Sequence, residues 1–218
     1  MLLFGSELQS LFIQPVYTDL SDPGHNWMRT VYAGAEELLP NDAPEPLGKF
    51  VVFTTYVDAN LYHCMVTGRA VTGILHLINQ TPFDWYSKKQ STVETATYGS
   101  EFVAARIATD HIVENRMMLR YLGVPIRGKT YMFGDNKSVV DSSFVPHAKL
   151  HKRHTALSFH RVREAIAAGI IHFTHQSGSI NPADILSKHW GYSQVWKMLQ
   201  PLLFYQGDTS ELANEEDY

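Results

Sequence analysis

The sequence has almost no cysteine: Cys64 is the single one among 218 residues. One thiol cannot close an internal disulfide, so a disulfide-stapled fold is excluded and a reducing compartment fits best. Long hydrophobic runs are also missing, since no apolar run approaches the ~20 residues of a membrane-spanning helix. Hydrophobic residues make up 44% of the chain and charged residues 18%, which excludes wholesale disorder. We expect a soluble, intracellular protein with no membrane partner.

An overall excess of positive charge is missing too, because the formal net charge is -4. The distribution is uneven, however. Between residues 147 and 169 there is one acid, Glu164, and the bases of this segment are Lys149, Lys152, Arg153, Arg161 and Arg163. A basic segment inside an acidic chain favours an anionic partner such as nucleic acid. The acidic residues after Gly207 are interpreted as a solvated tail.

Breaks in the hydrophobic pattern divide the chain into three regions. Residues 1–47 are often interrupted by proline and are interpreted as a connector-like extension and Pro-rich linker. Residues 48–192 carry the regular hydrophobic pattern and are expected to form one domain. Residues 193–218 are interpreted as a C-terminal extension that includes the acidic tail.

The hydrophobic periodicity predicts an α/β domain. Strands are expected at 50–57, 70–78, 83–87, 129–133 and 170–174, and helices at 97–121, 136–144, 153–168 and from Asn181 onward. The first strand is apolar on both faces and should be internal. Three meander strands followed by alternating elements imply a five-stranded mixed sheet, three strands antiparallel and then parallel, with helices on both faces.

Four acids occupy matching places in this order. Asp58 and Asp135 follow predicted strands, Glu101 lies near the start of the long helix, and Asp184 lies in the first turn of the last helix. Each alone could be a turn former, a helix cap or an exposed helix residue. Together they favour one shared site, because the two strand-end acids become neighbours if the first and fourth strands are adjacent.

Gathered carboxylates repel one another unless a cation joins them. Magnesium is the usual hard cation for such oxygen ligands, and we expect Mn²⁺ as a substitute. Two such ions about 3.5–4 Å apart can activate a water and stabilise the leaving oxygen of a phosphodiester. The acids therefore predict metal-dependent hydrolysis of a phosphodiester.

Several blocks resemble the ribonuclease H domain of Ty1/copia-type retrotransposon pol polyproteins, in family order across roughly residues 49–190. They read Tyr-Val-Asp-Ala at 56–59, Asp-Trp-Tyr-Ser-Lys-Lys-Gln-Ser-Thr-Val at 84–93, Ser-Glu-Phe-Val-Ala at 100–104, Asp-Asn-Lys-Ser at 135–138, Arg-His at 153–154 through Phe-His-Arg-Val-Arg-Glu at 159–164, and Asn-Pro-Ala-Asp-Ile-Leu-Ser-Lys at 181–188. The second and last blocks are the specific ones.

The resemblance implies the ribonuclease H-like fold and cleavage of the RNA strand of RNA/DNA hybrids. It maps Asp58, Glu101, Asp135 and Asp184 onto the catalytic, metal-binding acids of that family. It also implies a reverse transcriptase domain of the same polyprotein as partner, although the chain has no Tyr-x-Asp-Asp box. The expected location is the cytoplasm, virus-like particles or the nucleus.

The chain departs from the family pattern where a companion acid is expected, since Gly99 stands there. Glu94 is a nearby competitor for Glu101 and the less favoured ligand. His175 resembles the mobile histidine that cellular ribonucleases H place before their last acid, and we predict that it assists turnover. The alternative is a plain exposed loop histidine.

Basic residues are predicted to hold the nucleic-acid backbone, because they neutralise phosphates and release counterions. The candidates are Lys88, Lys89, Lys149, Lys152, Arg153 and Arg161, with Gln90 and Ser138 added by chain proximity to the acids. A zinc site at His147, His151, His154 and His160 is less favoured, since the single cysteine lies far away in sequence.

Two competing functions stay open. One is a catalytically inactive ribonuclease H-like domain that binds or tethers nucleic acid, although the presence of all four acids favours activity. The other is an integrase-like DNA strand transferase, which needs three acids in a different layout. The block at 181–188 speaks against it.

Overall fold

A five-stranded sheet forms the centre of the protein in a computed structural model that describes Met28 and residues 31–145 and 155–203. The strands are β1 (Phe53–Asn60), β2 (Val71–Ile78), β3 (Thr81–Lys89), β4 (Thr130–Gly134) and β5 (Ile171–His175). Their order is β3-β2-β1-β4-β5. The β1–β2 and β2–β3 pairs are antiparallel, whereas β1–β4 and β4–β5 are parallel. The predicted mixed sheet with an internal first strand is confirmed.

Five helices accompany the sheet in the described ranges: α1 (Thr97–Tyr121), α2 (Lys137–Phe144), α3 (Ala156–Ala167), α4 (Asp184–Ser187) and α5 (Tyr192–Leu203). The long helix α1 has the bounds predicted from its periodicity. Asn136 caps α2, because its side chain accepts a hydrogen bond from the Val139 amide at 3.3 Å. Among the described residues, no helix combines the length and apolarity needed to cross a membrane.

The two faces of the sheet bury separate cores. On one face Phe53, Val57 and Ile74 pack with Phe102 of α1 and Phe159 of α3. On the other face Tyr56, Leu75 and Phe133 pack with Ala183, immediately before α4. Neighbouring residues of a strand point to opposite faces, which explains why Tyr56 and Val57 enter different cores. Helices therefore cover both faces, as predicted.

The predicted start and end of the first strand are wrong by three residues. Phe50 is 70% exposed, and Val51 forms an isolated bridge to Ile126 outside the named strands. At the other end, pairing with β2 continues to Asn60 opposite Val71. Asp58 consequently lies inside β1 and not past its end. His175 is likewise the last residue of β5, not a loop residue.

Candidate active site

Strand register brings the first two acids together. In the parallel β1–β4 pair, Val57 lies opposite Gly134. Asp58 and Asp135 each follow one of these residues, so they stand side by side, Asp58 two residues before the end of β1 and Asp135 directly after β4. Asp58 is 1% exposed and Asp135 is half-buried. The sheet therefore holds both carboxyl groups in place through backbone pairing.

The third acid, Asp184, belongs to the segment that contains α4 and covers one face of the sheet. Asn181 holds this segment to β1, because its amide donates to the Val57 carbonyl at 2.9 Å and accepts from the Ala183 amide at 3.1 Å. Gly73 of β2 allows the close approach of α4. A Cβ at Gly73 would lie 2.6 Å from the Ala183 carbonyl oxygen and 3.0 Å from the Ser187 amide nitrogen. Asp184 is thereby brought down onto β1.

The structure gathers Asp58, Asp135 and Asp184 into one cluster, with one carboxylate oxygen of each within 4.8 Å of the others. Glu101 of α1 stands beside this cluster. It is 4% exposed and accepts a hydrogen bond from the Ala59 backbone amide, and its charge interacts with those of Asp58 and Asp135. We call Asp58, Glu101, Asp135 and Asp184 the acidic cluster. They come from β1, α1, the end of β4 and α4.

The electrostatics of the acidic cluster are unfavourable to ionisation. Burial, then the charges of Asp58 and Asp135, raises the pKa of Glu101 well above its usual value. Burial and Asp58 likewise raise the pKa of Asp135. The same two causes raise the pKa of Asp184 to about 6. A bound cation would favour the charged forms of these carboxyl groups.

Two residues of the site were not given a role by the sequence. Ser187 donates a short hydrogen bond from its hydroxyl to Asp58. Lys188 places its ammonium 2.7 Å from Asp184 Oδ1 and 3.5 Å from Asp58 Oδ1. Burial alone would lower the pKa of Lys188, but the hydrogen bond to Asp184 and the nearby acids raise it. The i, i+4 spacing of Asp184 and Lys188 was the signal that could have found this pair.

A divalent hard cation fits the acidic cluster. All four side chains offer carboxylate oxygens, which are the ligands that Mg²⁺ and Mn²⁺ prefer. The raised pKa values of Glu101, Asp135 and Asp184 show that Lys188 alone does not balance the gathered charge. Asp58 has the central position, since it interacts with each of the other three acids.

A histidine and a glycine lie beside Asp135. His175 is exposed, and its Nε2 lies 3.0 Å from the Asp135 backbone oxygen. Gly178, in the short 3₁₀ turn Gly178–Ile180, faces the Asp135 carboxylate, because an added Cβ would lie 2.8 Å from Asp135 Oδ2. The histidine thus sits at the rim of the acidic cluster with its side chain bound to backbone.

At Gly99, where the family pattern has a companion acid, the space beside the backbone is filled by the side chain of Glu94. Glu94 is 1% exposed, and a Cβ at Gly99 would collide with its carboxylate. Glu94 thus occupies the space beside the first turn of α1. It is not part of the group formed by Asp58, Asp135 and Asp184. Glu101 is also outside that group, but its charge interacts with those of Asp58 and Asp135.

The residues predicted to contact nucleic acid fall into different settings. Lys88, Lys89 and Ser138 are exposed. Gln90 does not fit the predicted contact, because it is 2% exposed and its amide donates to Thr72 Oγ1 and the Ser100 carbonyl at 3.0 and 2.8 Å. It positions the first turn of α1 instead.

Arg161 is also engaged inside the protein. Its Nε lies 2.8 Å from Asp110 Oδ1, and its Nη1 lies 3.2 Å from Glu164 Oε2. These ion pairs do not fit a guanidinium left free for phosphate. The predicted contacts of Lys149, Lys152 and Arg153 lie outside the described residues, as do three of the four histidines of the zinc alternative. The fourth, His160, has its Nδ1 2.8 Å from the Tyr32 hydroxyl.

No family model matches the chain. Among curated proteins, it is similar to the retrovirus-related Pol polyprotein from transposon TNT 1-94 of Nicotiana tabacum, with 25% identity over 142 residues. The match covers 65% of this chain and 10% of that polyprotein, so the chain spans about a tenth of its relative.

Solved structures of ribonucleases H are also similar. A ribonuclease H1 from compost, solved with an RNA/DNA hybrid, is 15% identical with a TM-score of 0.48, and covers 62% of this chain and 93% of its own. The ribonuclease H1 of Halobacterium salinarum is 12% identical with a TM-score of 0.47, over 66% and 97% of the two chains. A foamy viral protease-reverse transcriptase is 16% identical with a TM-score of 0.41, over 73% and 22%.

The likeness to a retrotransposon Pol polyprotein confirms the resemblance stated from the sequence. The fold is confirmed by the chain itself, through its sheet order, its strand directions and the helices on both faces. It is a ribonuclease H-like fold.

Proposed function

We propose that this chain is a metal-dependent endonuclease that hydrolyses the RNA strand of RNA/DNA hybrids, as part of a Ty1/copia-type retrotransposon pol polyprotein. The observation that carries the proposal is the acidic cluster. Three aspartates from separate elements have carboxylate oxygens within 4.8 Å of one another, and buried Glu101 stands beside them. A fold has no structural use for four buried or half-buried acids gathered in this way, because their repulsion opposes folding.

Each acid has a role in the proposal. Asp58 interacts with each of the other three acids, and Glu101 interacts with Asp58 and Asp135, so Asp58 is proposed as the shared metal ligand. When bound there, a pair of Mg²⁺ or Mn²⁺ ions would activate a water and stabilise the leaving oxygen of the scissile phosphodiester. Lys188 holds Asp184 and Asp58 in place by ion pairing before a cation enters.

His175 is proposed to assist turnover from the rim of the site. Its exposed ring can move away from the Asp135 carbonyl and exchange a proton with solvent. This role differs from that of the acids, since a change at His175 should slow product release or proton transfer without removing a metal ligand.

Exposed residues near the acids are proposed to bind the substrate backbone. Asp58, Gly73 and Ser87 share one row across β1, β2 and β3, and Lys88 and Lys89 follow Ser87. Strands lie about 4.8 Å apart, so the Cα of Lys88 stands roughly 10 Å from that of Asp58. Ser138 lies three residues beyond Asp135. Lys149, Lys152 and Arg153 extend the proposed surface on sequence grounds.

The proposal is tested by incubating the purified chain with end-labelled RNA/DNA, RNA/RNA and DNA/DNA duplexes of one sequence. With Mg²⁺ present, we expect cleavage of the RNA strand in the RNA/DNA duplex alone, and no cleavage with a chelator. A wide minor groove lined with 2′-hydroxyls on one strand is the feature that such an enzyme senses. Cleavage of the DNA/DNA duplex would contradict the proposal. Hybrid binding without cleavage would support the inactive tether instead.

A reverse transcriptase domain of the same polyprotein is the proposed partner, since the relative is a Pol polyprotein of which this chain spans about a tenth. The proposed site of action is inside the cell, in the cytoplasm, virus-like particles or the nucleus. Fusing the chain to a cognate polymerase domain should raise hybrid affinity by raising the effective concentration of the bound duplex. Equal affinity with and without the fusion would contradict this partnership.

A further inference from the structure

A second group of metal-ligating side chains lies away from the acidic cluster. His76 of β2 and Asp84 of β3 are paired across the two strands, next to a register shift between His76 and Leu77. His111 of α1 packs over them, with its ring centroid 5.9 Å from that of His76. One ligand atom of each residue lies within 4.8 Å of the others. We call His76, Asp84 and His111 the histidine cluster.

His76 provides an independent sign that a ligand belongs here. The residue is 0% exposed, and Phe53 and Phe83 pack around its ring. Its Nδ1 lies 2.9 Å from Thr55 Oγ1, whereas its Nε2 has no hydrogen-bond partner among the described residues. An unpaired polar nitrogen in an apolar interior costs free energy, and a bound cation would remove that cost.

We propose that the histidine cluster binds one divalent transition-metal ion of the zinc class. Two imidazoles and one carboxylate form a donor set that suits zinc and disfavours magnesium, which prefers oxygen ligands. His76 is buried, but Asp84 and His111 are half-buried. The fourth position is therefore open to a water molecule, as in other three-ligand zinc sites.

Two neighbouring residues are placed to orient the ligands. Thr55 Oγ1 accepts a hydrogen bond from His76 when the proton is on Nδ1, which leaves the Nε2 lone pair for the metal. Asn115, one turn after His111 on α1, donates from its amide to Asp84 Oδ2 at 3.2 Å. Such outer partners fix ring tautomer and carboxylate orientation around a metal.

Only a small adjustment is needed for coordination. Ligand atoms around a tetrahedral zinc at its usual bond lengths are ~3.4 Å apart. The atoms of the histidine cluster start within 4.8 Å. Rotation of the half-buried Asp84 and His111 side chains can close this difference, while His76 stays fixed. The bound ion would join β2, β3 and α1, and should stabilise the folded state because the unfolded chain lacks the site.

The test is a titration of the chelator-treated full chain with Zn²⁺, and with Co²⁺ as a spectroscopic probe, in excess Mg²⁺ to occupy the acidic cluster. We expect one saturable site, a rise in Tm on Zn²⁺ addition, and the visible absorption of four-coordinate Co²⁺. His111→Ala and Asp84→Asn should weaken binding more than ~100-fold, since loss of an outer partner alone costs about 10–100-fold. Thr55→Val, which keeps the shape, should give a smaller loss.

His172→Gln is the matched control, because β5 is at the opposite edge of the sheet from β3. It should bind Zn²⁺ like the wild type, and Asp58→Asn should do so as well. Circular dichroism of each metal-free variant shows whether it is folded. The proposal is overturned if folded His111→Ala and Asp84→Asn bind Zn²⁺ like the wild type, or if excess Mg²⁺ abolishes all Zn²⁺ binding. Neither result depends on nuclease activity.

Discussion

Two groups of buried and half-buried charged side chains differ in the direction in which neighbouring charges shift the pKa of the acids. Glu37, in the segment before the sheet, lies between two arginines of α1, with Arg116 Nε at 2.6 Å and Arg120 Nη1 at 2.5 Å from Oε1. Burial alone would raise the pKa of Glu37, but the hydrogen bonds and charges of Arg116 and Arg120 lower it. In the acidic cluster, burial and like charges act together, and the pKa values of Glu101, Asp135 and Asp184 rise.

The two groups differ in whether opposite charges compensate the gathered acids. Glu37 pairs with Arg116 and Arg120 in favourable geometry, and these ion pairs hold its segment against α1. Within the described part of the chain, the acidic cluster has one ammonium, that of Lys188, for four acids, so we expect it to destabilise the metal-free fold. A protein keeps such an arrangement where a cation or a substrate needs it.

The largest expected effect comes from breaking the favourable group. Glu37→Gln should lower the free energy of unfolding by about 3 kcal/mol, because it leaves the 3% exposed Arg116 without its charged partner. Urea denaturation measures this change. Glu36→Gln, at an exposed neighbouring position, should change stability by less than about 0.5 kcal/mol. Equal midpoints for the two variants would mean that the Glu37 group does not stabilise the fold.

A smaller effect is expected where the acidic cluster is assembled. Gly73→Ala should cost about 2 kcal/mol, since its Cβ would press on backbone atoms of Ala183 and Ser187, and overpacking of this kind costs 1–3 kcal/mol. It should also displace α4 and lower the affinity for Mg²⁺. Gly191→Ala is the control, because its Cβ would make only ordinary contact. Unchanged Mg²⁺ affinity in Gly73→Ala would show that close packing of α4 does not place Asp184.

The smallest expected effect is a gain in stability and not a loss. Asp184 has its pKa raised from 3.8 to about 6, so the native state binds its proton more tightly than the unfolded chain. Stability of the metal-free protein should therefore fall as pH rises from about 4 to about 6, and the penalty should be fully present above pH 6. Asp184→Asn should remove this contribution and stabilise the metal-free protein at pH 7 by at least about 1 kcal/mol.

Thermal unfolding in chelator across this pH range measures whether the stability of the metal-free protein falls as pH rises. Asp141→Asn, which changes an exposed acid of α2, should leave the pH profile of the wild type unchanged. Lower stability of Asp184→Asn at pH 7 would mean that the pairing with Lys188 outweighs burial and repulsion. Asp184 would then belong with Glu37 as a structural acid.

Much of the fold was predictable because its signals are local. The 25-residue helix α1 follows from helical spacing, and the internal position of β1 follows from its apolar residues on both faces. The end of β1 could not be predicted. Whether Asp58 continues the strand depends on its pairing partner Gly73, which comes from a different part of the sequence.

The acids were found from the sequence because their types and places along the elements are characteristic. Lys188 and Ser187 were not, although both lie in the same block as Asp184. Their roles come from contact with Asp58, 129 and 130 residues away in sequence. Gln90 is the opposite case. Its proximity in the chain to the acids predicted a nucleic-acid contact, but the fold buries its side chain.

The histidine cluster was invisible for the same reason. His76, Asp84 and His111 have no ligand spacing in sequence, and only strand pairing and the packing of α1 on the sheet bring them together. The histidines with suggestive spacing, His147 and His151, lie outside the described residues.

Asp58→Asn tests most directly whether the acidic cluster performs phosphodiester hydrolysis. Single-turnover cleavage of an RNA/DNA hybrid should be measured in Mg²⁺ together with equilibrium hybrid binding, with Asp141→Asn as the matched control. We expect the variant to lose at least about 10³-fold in cleavage rate, roughly 4 kcal/mol of barrier, while hybrid affinity changes only a few-fold. Cleavage by Asp58→Asn at the rate of the wild type would contradict the proposed role of the acidic cluster.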